Sequence, residues 1–517
     1  MKRDIASSVA LVLGFAGSLV LSGQAMAATR SCESLKSVSF KDTKIEIAEE
    51  IHPNPAWPYP PSFFNGLAAT DPTGAKDVEV PFCRVVATIE TETKFELWLP
   101  DDWNGKYQQV GNGGYSGAIN YPTMGGAIAK GYATSSTNVG HDSANAFEAD
   151  WMEGHKQRVI DFGYRAHHLV SMISKEIVDS YYGAKPKYAY FVGCSSGGWQ
   201  GLTEIQKYPD DFDGIVIGAP AHNFVRLNTR GTVVAQMSLK DPAGDLSAAQ
   251  TKLIAEAALK RCDPEDGLTD GLISDPMQCD FDPKQLECKA DEHSDSCLTE
   301  PQVARARALY GPLKSKGGLD LYPGPTYGTA IRAAAPTSDA PSGAAGPLYN
   351  ALKEFGHAPQ WTAATFDADK DIPEMEQVVG SAMSAMDPDI AKFKAHGGKV
   401  VAWHGWADPG ISPYNTLHYY DTVEKKIGGN MDDFYRMFFL PGVGHCGAGS
   451  TGPNRFDAVT ALENWVEKGV APTRLEAAQY KDGQITRTRP LCMYPEVAKY
   501  TGSGNADEAQ NFTCVKP

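Results

Sequence analysis

Basic side chains are scarce in this sequence: 47 lysines and arginines stand against 63 aspartates and glutamates, a formal net charge of −16. A surface with that balance repels phosphate, which excludes nucleic acid and anionic membrane as partners and leaves room for a neutral or cationic small substrate. Long apolar runs are as scarce. Past the N-terminus no stretch is apolar enough to cross a bilayer. No fixed-period repeat is evident, so solenoids and propellers are excluded as well.

The exception at the N-terminus is the run from Val9 to Leu21, preceded by Lys2 and Arg3 and closed by Ala25-Met26-Ala27. This is the pattern of a secretory signal with a small-residue cleavage site, although Asp4 is out of place in its basic segment. The run is short for a membrane anchor. We therefore expect removal of residues 1–27, a mature chain starting near Ala28, and a secreted or periplasmic protein. What remains is long enough for a large core, built either as two units or as one domain with a big insertion.

Cysteine is well represented, with ten residues at 32, 83, 194, 262, 279, 288, 297, 446, 492 and 514. An even number in an exported chain points to a disulfide framework rather than to metal ligands or redox centres. Four crowd between 262 and 297 and two close the C-terminus, so local pairing is the economical proposal. It leaves Cys194 and Cys446 as a long-range pair.

The run "KYAYFV" from Lys187 is strand-like, is followed at once by glycines, and then by Leu202 and Ile205 at helical spacing. The alternation recurs: "GIVIGAPA", "KVVAWHG" from Lys399 and "YRMFFLPG" from Tyr435 read as strands, and "FDAVTALENWVEKG" as a helix. Strands alternating with helices predict an α/β fold with a mainly parallel sheet covered on both faces. Between Pro220 and about Asp387 the strand rhythm fades into Ala, Pro, Gly and Asp, which predicts an inserted second domain, helical and loop-rich.

Gly193-Cys194-Ser195-Ser196-Gly197 fits the G-x-S-x-G nucleophile elbow, in which glycines permit the strained turn that lifts one serine above the sheet edge. The spacing selects Ser195. A serine hydroxyl needs a base, itself oriented by a carboxylate, and in this fold those partners follow in the order acid, then histidine. Asp408 lies in "WHGWADPG" and His445 in "GVGHCG", each just past a predicted strand, where active sites of open α/β sheets gather. Taken alone, Asp408 could be a turn former before Pro409 and His445 a packing residue. Order and placement together favour the triad. His404, His141 and His167 compete for the base but read as structural, since His404 belongs to a strand end and the other two precede the serine. The oxyanion hole would take one N–H from Ser196 and a second from the glycine-rich "QVGNGGYSG", where Gly113 or Gly114 is the candidate.

If the loops carrying Ser195 and His445 approach within hydrogen-bond reach, the neighbouring cysteines can bridge and staple them together. Such a bond closes a loop for which chain entropy gives about 5 kcal/mol as an upper figure. The positional gain matters more, since a misplacement of about 1 Å can cost on the order of a hundredfold in rate.

The segments "GCSSGG", "WHGWADPGISPYNTLHYY", "GVGHCGAGSTGP", "DFGYRAHH" and "GIVIGAPA" together resemble the tannase and feruloyl esterase family, which also contains the hydrolase of mono(2-hydroxyethyl) terephthalate. The resemblance spans nearly the whole mature chain. It implies an α/β-hydrolase domain formed by residues 28–220 and 388–517, a lid domain over 221–387, and a triad of Ser195, Asp408 and His445. It also implies five disulfides: Cys32–Cys83, Cys194–Cys446, Cys262–Cys279, Cys288–Cys297 and Cys492–Cys514.

Within the inserted segment, "CDPEDGLTDGLISDP" interleaves Asp263, Asp266 and Asp270 with glycines that allow tight turning. Their carboxylates, with the main-chain carbonyls of Leu268 and Leu272, could converge on a hard cation, or the segment could be an acidic solvated turn. The resemblance implies a calcium ion here. Its distance along the chain from the triad suggests a structural role.

The expectation is an exported serine esterase for small aromatic, phenolic-acid esters, with feruloyl esters ranked before galloyl esters (a tannase) and the terephthalate monoester. Trp361, Phe355 and Phe366 of the insertion, with Trp406 and Tyr414, are candidates to pack the substrate's ring. Trp199, directly after the elbow glycines, departs from the polar residue expected in relatives, so the acyl side of the pocket is left unassigned while the triad is unaffected. A calcium-dependent polyphenol- or carbohydrate-binding protein on a hydrolase scaffold is the reading from a different class, and the intact triad disfavours it.

Overall fold

The computed structural model describes residues 28–60, 62, 77–90, 92–143, 145–289, 294–331 and 342–517. The expected signal segment at 1–27 lies outside them. Nine strands form the main sheet: β1 (Thr43–Ile51), β2 (Phe82–Ile89), β3 (Thr93–Pro100), β4 (Lys106–Val110), β5 (Ala133–Thr137), β6 (Tyr188–Cys194), β7 (Gly214–Gly218), β8 (Lys399–Gly405) and β9 (Tyr435–Leu440). Their order is β1-β2-β3-β5-β4-β6-β7-β8-β9. From β5 to β9 every neighbouring pair is parallel, while β1, β2, β3 and β5 pair antiparallel. The sheet is therefore mixed, the antiparallel part lying on the N-terminal side of the expected parallel core.

Parallel strands need crossovers, and helices supply them: α1 (Tyr121–Ala129), α2 (Ala166–Tyr182), α3 (Ser196–Lys207) and, after β9, α4 (Ala458–Lys468). Successive strand residues face opposite sides of the sheet. Phe191, Ile215 and Ile217 accordingly join one core with Ile173 and Ile177 of α2 and Leu202 and Ile205 of α3. Tyr190, Val216, Val401 and Trp403 join a second core with Ala127 of α1 and Leu462 and Trp465 of α4. This is the α/β-hydrolase arrangement, with both faces buried and the C-terminal strand ends left to carry loops.

Among the described residues, 221–387, between β7 and β8, add no strand to the main sheet. They form helices over Phe224–Lys240, Ala248–Cys262, Glu300–Tyr310, Ser342–Glu354 and Ala368–Met383. Ile254, Leu298, Val303 and Leu309 give part of this segment a core of its own. After α4 the chain ends in an antiparallel pair, Arg474–Lys481 with Gln484–Cys492, and a smaller one, Val497–Tyr500 with Phe512–Val515. Disulfides join 32 to 83, 194 to 446, 262 to 279, 288 to 297 and 492 to 514, the same five pairs that the family resemblance implies. Among the described residues no helix is long and apolar enough to cross a membrane.

Candidate active site

Strand β6 runs directly into helix α3, and the one residue between the Cys194 strand end and the helix is Ser195. Its backbone sits at φ 63°, ψ −121°, a conformation that costs a non-glycine residue about 1–3 kcal/mol and aims the side chain away from both elements. The flanking glycines are required by contact. A Cβ on Gly193 would lie 2.4 Å from the carbonyl of Gly197, and one on Gly197 would lie 2.8 Å from the carbonyl oxygen of Asn112. The turn is pinned by Ser195 N–H donating to the Gly218 carbonyl at 3.0 Å and by the Ala221 N–H donating to the Ser195 carbonyl at 3.1 Å.

The loop after β8 presents Asp408 and the loop after β9 presents His445. The two loops are laced together where Trp406 N–H donates to the Leu440 carbonyl and Ala407 N–H to the Val443 carbonyl. His445 Nε2 lies 2.9 Å from Ser195 Oγ, and its Nδ1 lies 2.6 Å from Asp408 Oδ2. Cys194 and Cys446, joined by the long-range disulfide, hold their Cα atoms 6.0 Å apart beside this contact. Sequence positions 250 residues apart thus meet at one rim of the sheet.

Asp408 is fully buried. Burial alone would raise its pKa, but hydrogen bonds from His404 and His445 hold it well below the ordinary carboxylate range. Its other oxygen, Oδ1, accepts the N–H groups of Gly410 and Ile411, both at 2.9 Å. The carboxylate is therefore ionised and fixed in direction. From the sequence His404 competes for the base but reads as a structural residue at a strand end. In the fold it lies behind the acid, with Nε2 3.2 Å from Asp408 Oδ2, and cannot meet the serine that His445 already faces. The sequence signal was its i, i+4 spacing to Asp408. His141 and His167 are buried in the scaffold, bonded to the Tyr115 carbonyl and to Gln109; burial lowers their pKa values to about 4 and about 3 and keeps them neutral.

Ser196 opens α3, and its N–H, like those of Gly113 and Gly114, has no hydrogen-bond partner among the described residues. Ser196 Oγ donates to the Gly114 carbonyl at 2.8 Å, fastening the glycine loop to the nucleophile helix.

A cavity of about 360 Å³ opens at Ser195 and His445 and is lined by Gly113 and Gly114. The aromatic residues expected to form its wall do not line it. Trp361 and Phe366 pack edge to face on each other in the core, Trp406 stacks on Phe439, and Trp199 is buried against Phe162 and Phe224. The large apolar area of these rings makes core burial the stronger demand.

The acidic loop lies elsewhere. Asp263 accepts the N–H groups of Asp270 and Gly271, Asp266 accepts the Leu268 N–H and the Ser274 hydroxyl, and Asp270 pairs with Arg489 at 2.5 Å. Burial raises the pKa of Asp266, and the charges of Asp270 and Asp263 raise it further. The three carboxylates do not gather within 4.8 Å of one another as His168, Glu204 and Asp211 do. Their carboxylate oxygens and the main-chain carbonyls of Leu268 and Leu272 are hard donors of the kind calcium takes. Leu272 on this loop reaches the chain next to His445: a Cβ on Gly442 would lie 2.4 Å from its Cδ2. The loop that is remote from the triad in sequence therefore buttresses the histidine loop in space.

Comparison with known proteins places these features in context. The family model for tannase and feruloyl esterase matches residues 76–515. An uncharacterized esterase of Xanthomonas campestris pv. campestris is 34% identical, over 96% of this chain and 93% of that protein. A probable feruloyl esterase B-2 of Aspergillus terreus is 31% identical, over 96% of this chain and 98% of that protein. The crystal structure of feruloyl esterase B from Aspergillus oryzae superposes with a TM-score of 0.82 at 28% identity, covering 94% of this chain and 99% of the other.

Proposed function

Because the chain belongs to the tannase and feruloyl esterase family of carboxylic ester hydrolases, we propose that it is a serine esterase acting on esters of phenolic acids, feruloyl esters first among them. The observation that carries the mechanism is the unbroken relay from Ser195 Oγ through the imidazole of His445 to Asp408. The names of its relatives support the choice of ferulate over gallate or the terephthalate monoester.

Ser195 Oγ attacks the ester carbonyl carbon as His445 Nε2 takes the hydroxyl proton. The imidazolium is stabilised by Asp408, which is ionised and held by four donors and does not itself take the proton. The carbonyl oxygen, now an anion, is met by the N–H of Ser196 and that of Gly113 or Gly114. Collapse breaks the bond to the alcohol, which leaves with the proton from Nε2. Water then enters, gives its proton to His445 and attacks the acyl carbon, and the acid departs as Ser195 recovers its hydrogen.

In this reading residues 221–387 are a lid, and Asp263, Asp266 and Asp270 with the carbonyls of Leu268 and Leu272 would hold calcium. The ion would neutralise the clustered carboxylates and stiffen the loop against Gly442; it takes no part in bond making. Five disulfides support an exported location. The test is turnover of methyl ferulate, methyl gallate and mono(2-hydroxyethyl) terephthalate by the parent and by Ser195→Ala. Ferulate turnover that disappears in the variant is expected. Turnover unchanged in the variant, or no ester cleaved by the parent, would favour the binding-protein reading.

A further inference from the structure

The cavity at Ser195 does not stop at the strand ends. It continues down one face of the sheet, between that face and helix α1, and both Asn120 before the helix and Lys130 after it line it. Asn120 is bonded to the Gly111 carbonyl near the rim, whereas Lys130 pairs at 3.1 Å with Asp457 at the other end of the helix. From Thr123 to Lys130 the helix advances about 10 Å at the usual rise per residue. The slot is therefore deeper than one phenolic ring requires.

Its walls are apolar and shaped by small residues. The sheet contributes Val192, Val216 and Trp403, and α1 contributes Thr123, Gly126 and Ala127. Val192 is only partly buried although its strand has neighbours on both sides. Val192 packs at the edge of the core that Ala127 of α1 shares with Val216 and Trp403, and it stays partly accessible where it lines the cavity. On α1 the positions 123, 126, 127 and 130 share one face, and that face lines the slot, while Tyr121, Met124 and Ile128 pack into a separate core. Glycine inside a helix is unfavourable, and Gly126 is one of the residues that line the slot. A void this large and apolar weakens a fold unless something fills it. At the mouth Phe147 is largely exposed.

We infer that this slot binds the acyl group of the ester, and that its depth admits unbranched acyl chains of medium length as a second substrate class. The inference rests on the reading that Ser195 is acylated. The side chain of His445 is one-third exposed. The alcohol that leaves from Nε2 and the water that replaces it both need that open side. The acyl group must stay through both half-reactions, and the enclosed arm is the one that can hold it. The chemistry is unchanged: the bond from Ser195 Oγ to the acyl carbon forms, the ester C–O bond breaks, and the proton passes through His445 to the leaving oxygen.

The test measures kcat/KM on p-nitrophenyl acetate, butyrate, hexanoate and octanoate for the parent, Gly126→Leu and Val192→Phe, with thermal midpoints to establish folding. These substitutions fill the slot from opposite walls, so either one decides if the other fails to fold. We expect kcat/KM in the parent to rise with chain length and the octanoate-to-acetate ratio to fall at least tenfold in a folded variant. A parent that declines steadily from acetate onward, or folded variants that keep the parental ratio, would overturn the slot while leaving Ser195 as nucleophile. Acetate turnover that survives Ser195→Ala would instead remove the acyl-enzyme, and this inference with it.

Discussion

His404 and His445 address the same oxygen of Asp408, at 3.2 and 2.6 Å. His404 Nε2 also faces the Ile411 carbonyl, another acceptor, so that nitrogen carries the proton. On the far side Nδ1 meets the Thr416 hydroxyl at 2.9 Å in a fully buried position. Were Thr416 to accept there, its own proton would be stranded. It therefore donates, and His404 gives its Nε2 proton toward the acid that it shares with the base. Removing that donor leaves Asp408 with three of its four hydrogen bonds. His404→Leu is expected to lower kcat at temperatures where the variant stays folded, with KM little changed, because the acid that orients His445 is less firmly held. An unchanged kcat in the folded variant would mean that His404 only packs.

The amide variant Asp408→Asn should keep the outline of the site and lose its electrostatics. An amide can offer its NH2 to His445 Nδ1 and hold the wrong tautomer, a change that costs roughly 10⁴ in kcat for triads of this kind. Steady-state kinetics on the preferred ester would check it, and a loss under tenfold would assign the acid elsewhere.

The bond between Cys194 and Cys446 closes a loop of 252 residues. Replacing both cysteines by alanine should reduce unfolding free energy by up to about 5 kcal/mol, measured by denaturant titration. The catalytic effect is expected to be separate and larger than stability alone explains. At a temperature where the variant is fully folded, kcat should fall on the order of a hundredfold, because the loops carrying Ser195 and His445 lose their common anchor.

Asp266 separates a calcium loop from an acidic turn. Without metal its pKa lies above its unfolded value, so the folded state binds more protons and stability falls as pH rises through that interval. Asp266→Asn would then stabilise the protein at neutral pH. With calcium bound the sign reverses: the variant loses a ligand, and both the substitution and a chelator lower the thermal midpoint of the parent protein. Differential scanning calorimetry with and without calcium distinguishes the two.

Glu204 of α3 buries both carboxyl oxygens without a hydrogen-bond partner among the described residues. Burial, with the charge of Asp211 added and that of Lys175 opposing, raises its pKa well above the ordinary value. The same sign argument makes the folded state lose stability as pH climbs past the unfolded carboxyl range. Glu204→Gln should raise the thermal midpoint by a few degrees at pH 8 and by progressively less toward pH 4. An equal effect at both pH values would show that the carboxyl is not held neutral.

Much of this site could be read before the fold was seen, because its residues are fixed by local rules. Ser195 stands where a strand meets a helix, and Gly193 and Gly197 are demanded by contacts closer than any Cβ allows. Asp408 and His445 followed from chain order and strand ends. What could not be read depends on packing between distant segments. The charged alternation of "TKIEIAEEI" gave no hint that β1 would edge the sheet with β2. The rings of Trp361 and Trp406 look like pocket lining from their placement in the chain, yet the core claims them. The cavity instead runs along a face of α1 marked only by Gly126 and Ala127, two small residues in a short helix. Likewise, the contact of Leu272 with Gly442 joins segments that the sequence places far apart.

The most direct test of the account is to quench the enzyme in acid during turnover of methyl ferulate and locate the added mass by peptide mass spectrometry. The account predicts one feruloyl group on the peptide containing Ser195, carried by that residue and absent from Ser195→Ala. Ferulate released with no trapped adduct under rate-limiting deacylation, or an adduct on another residue, would contradict it.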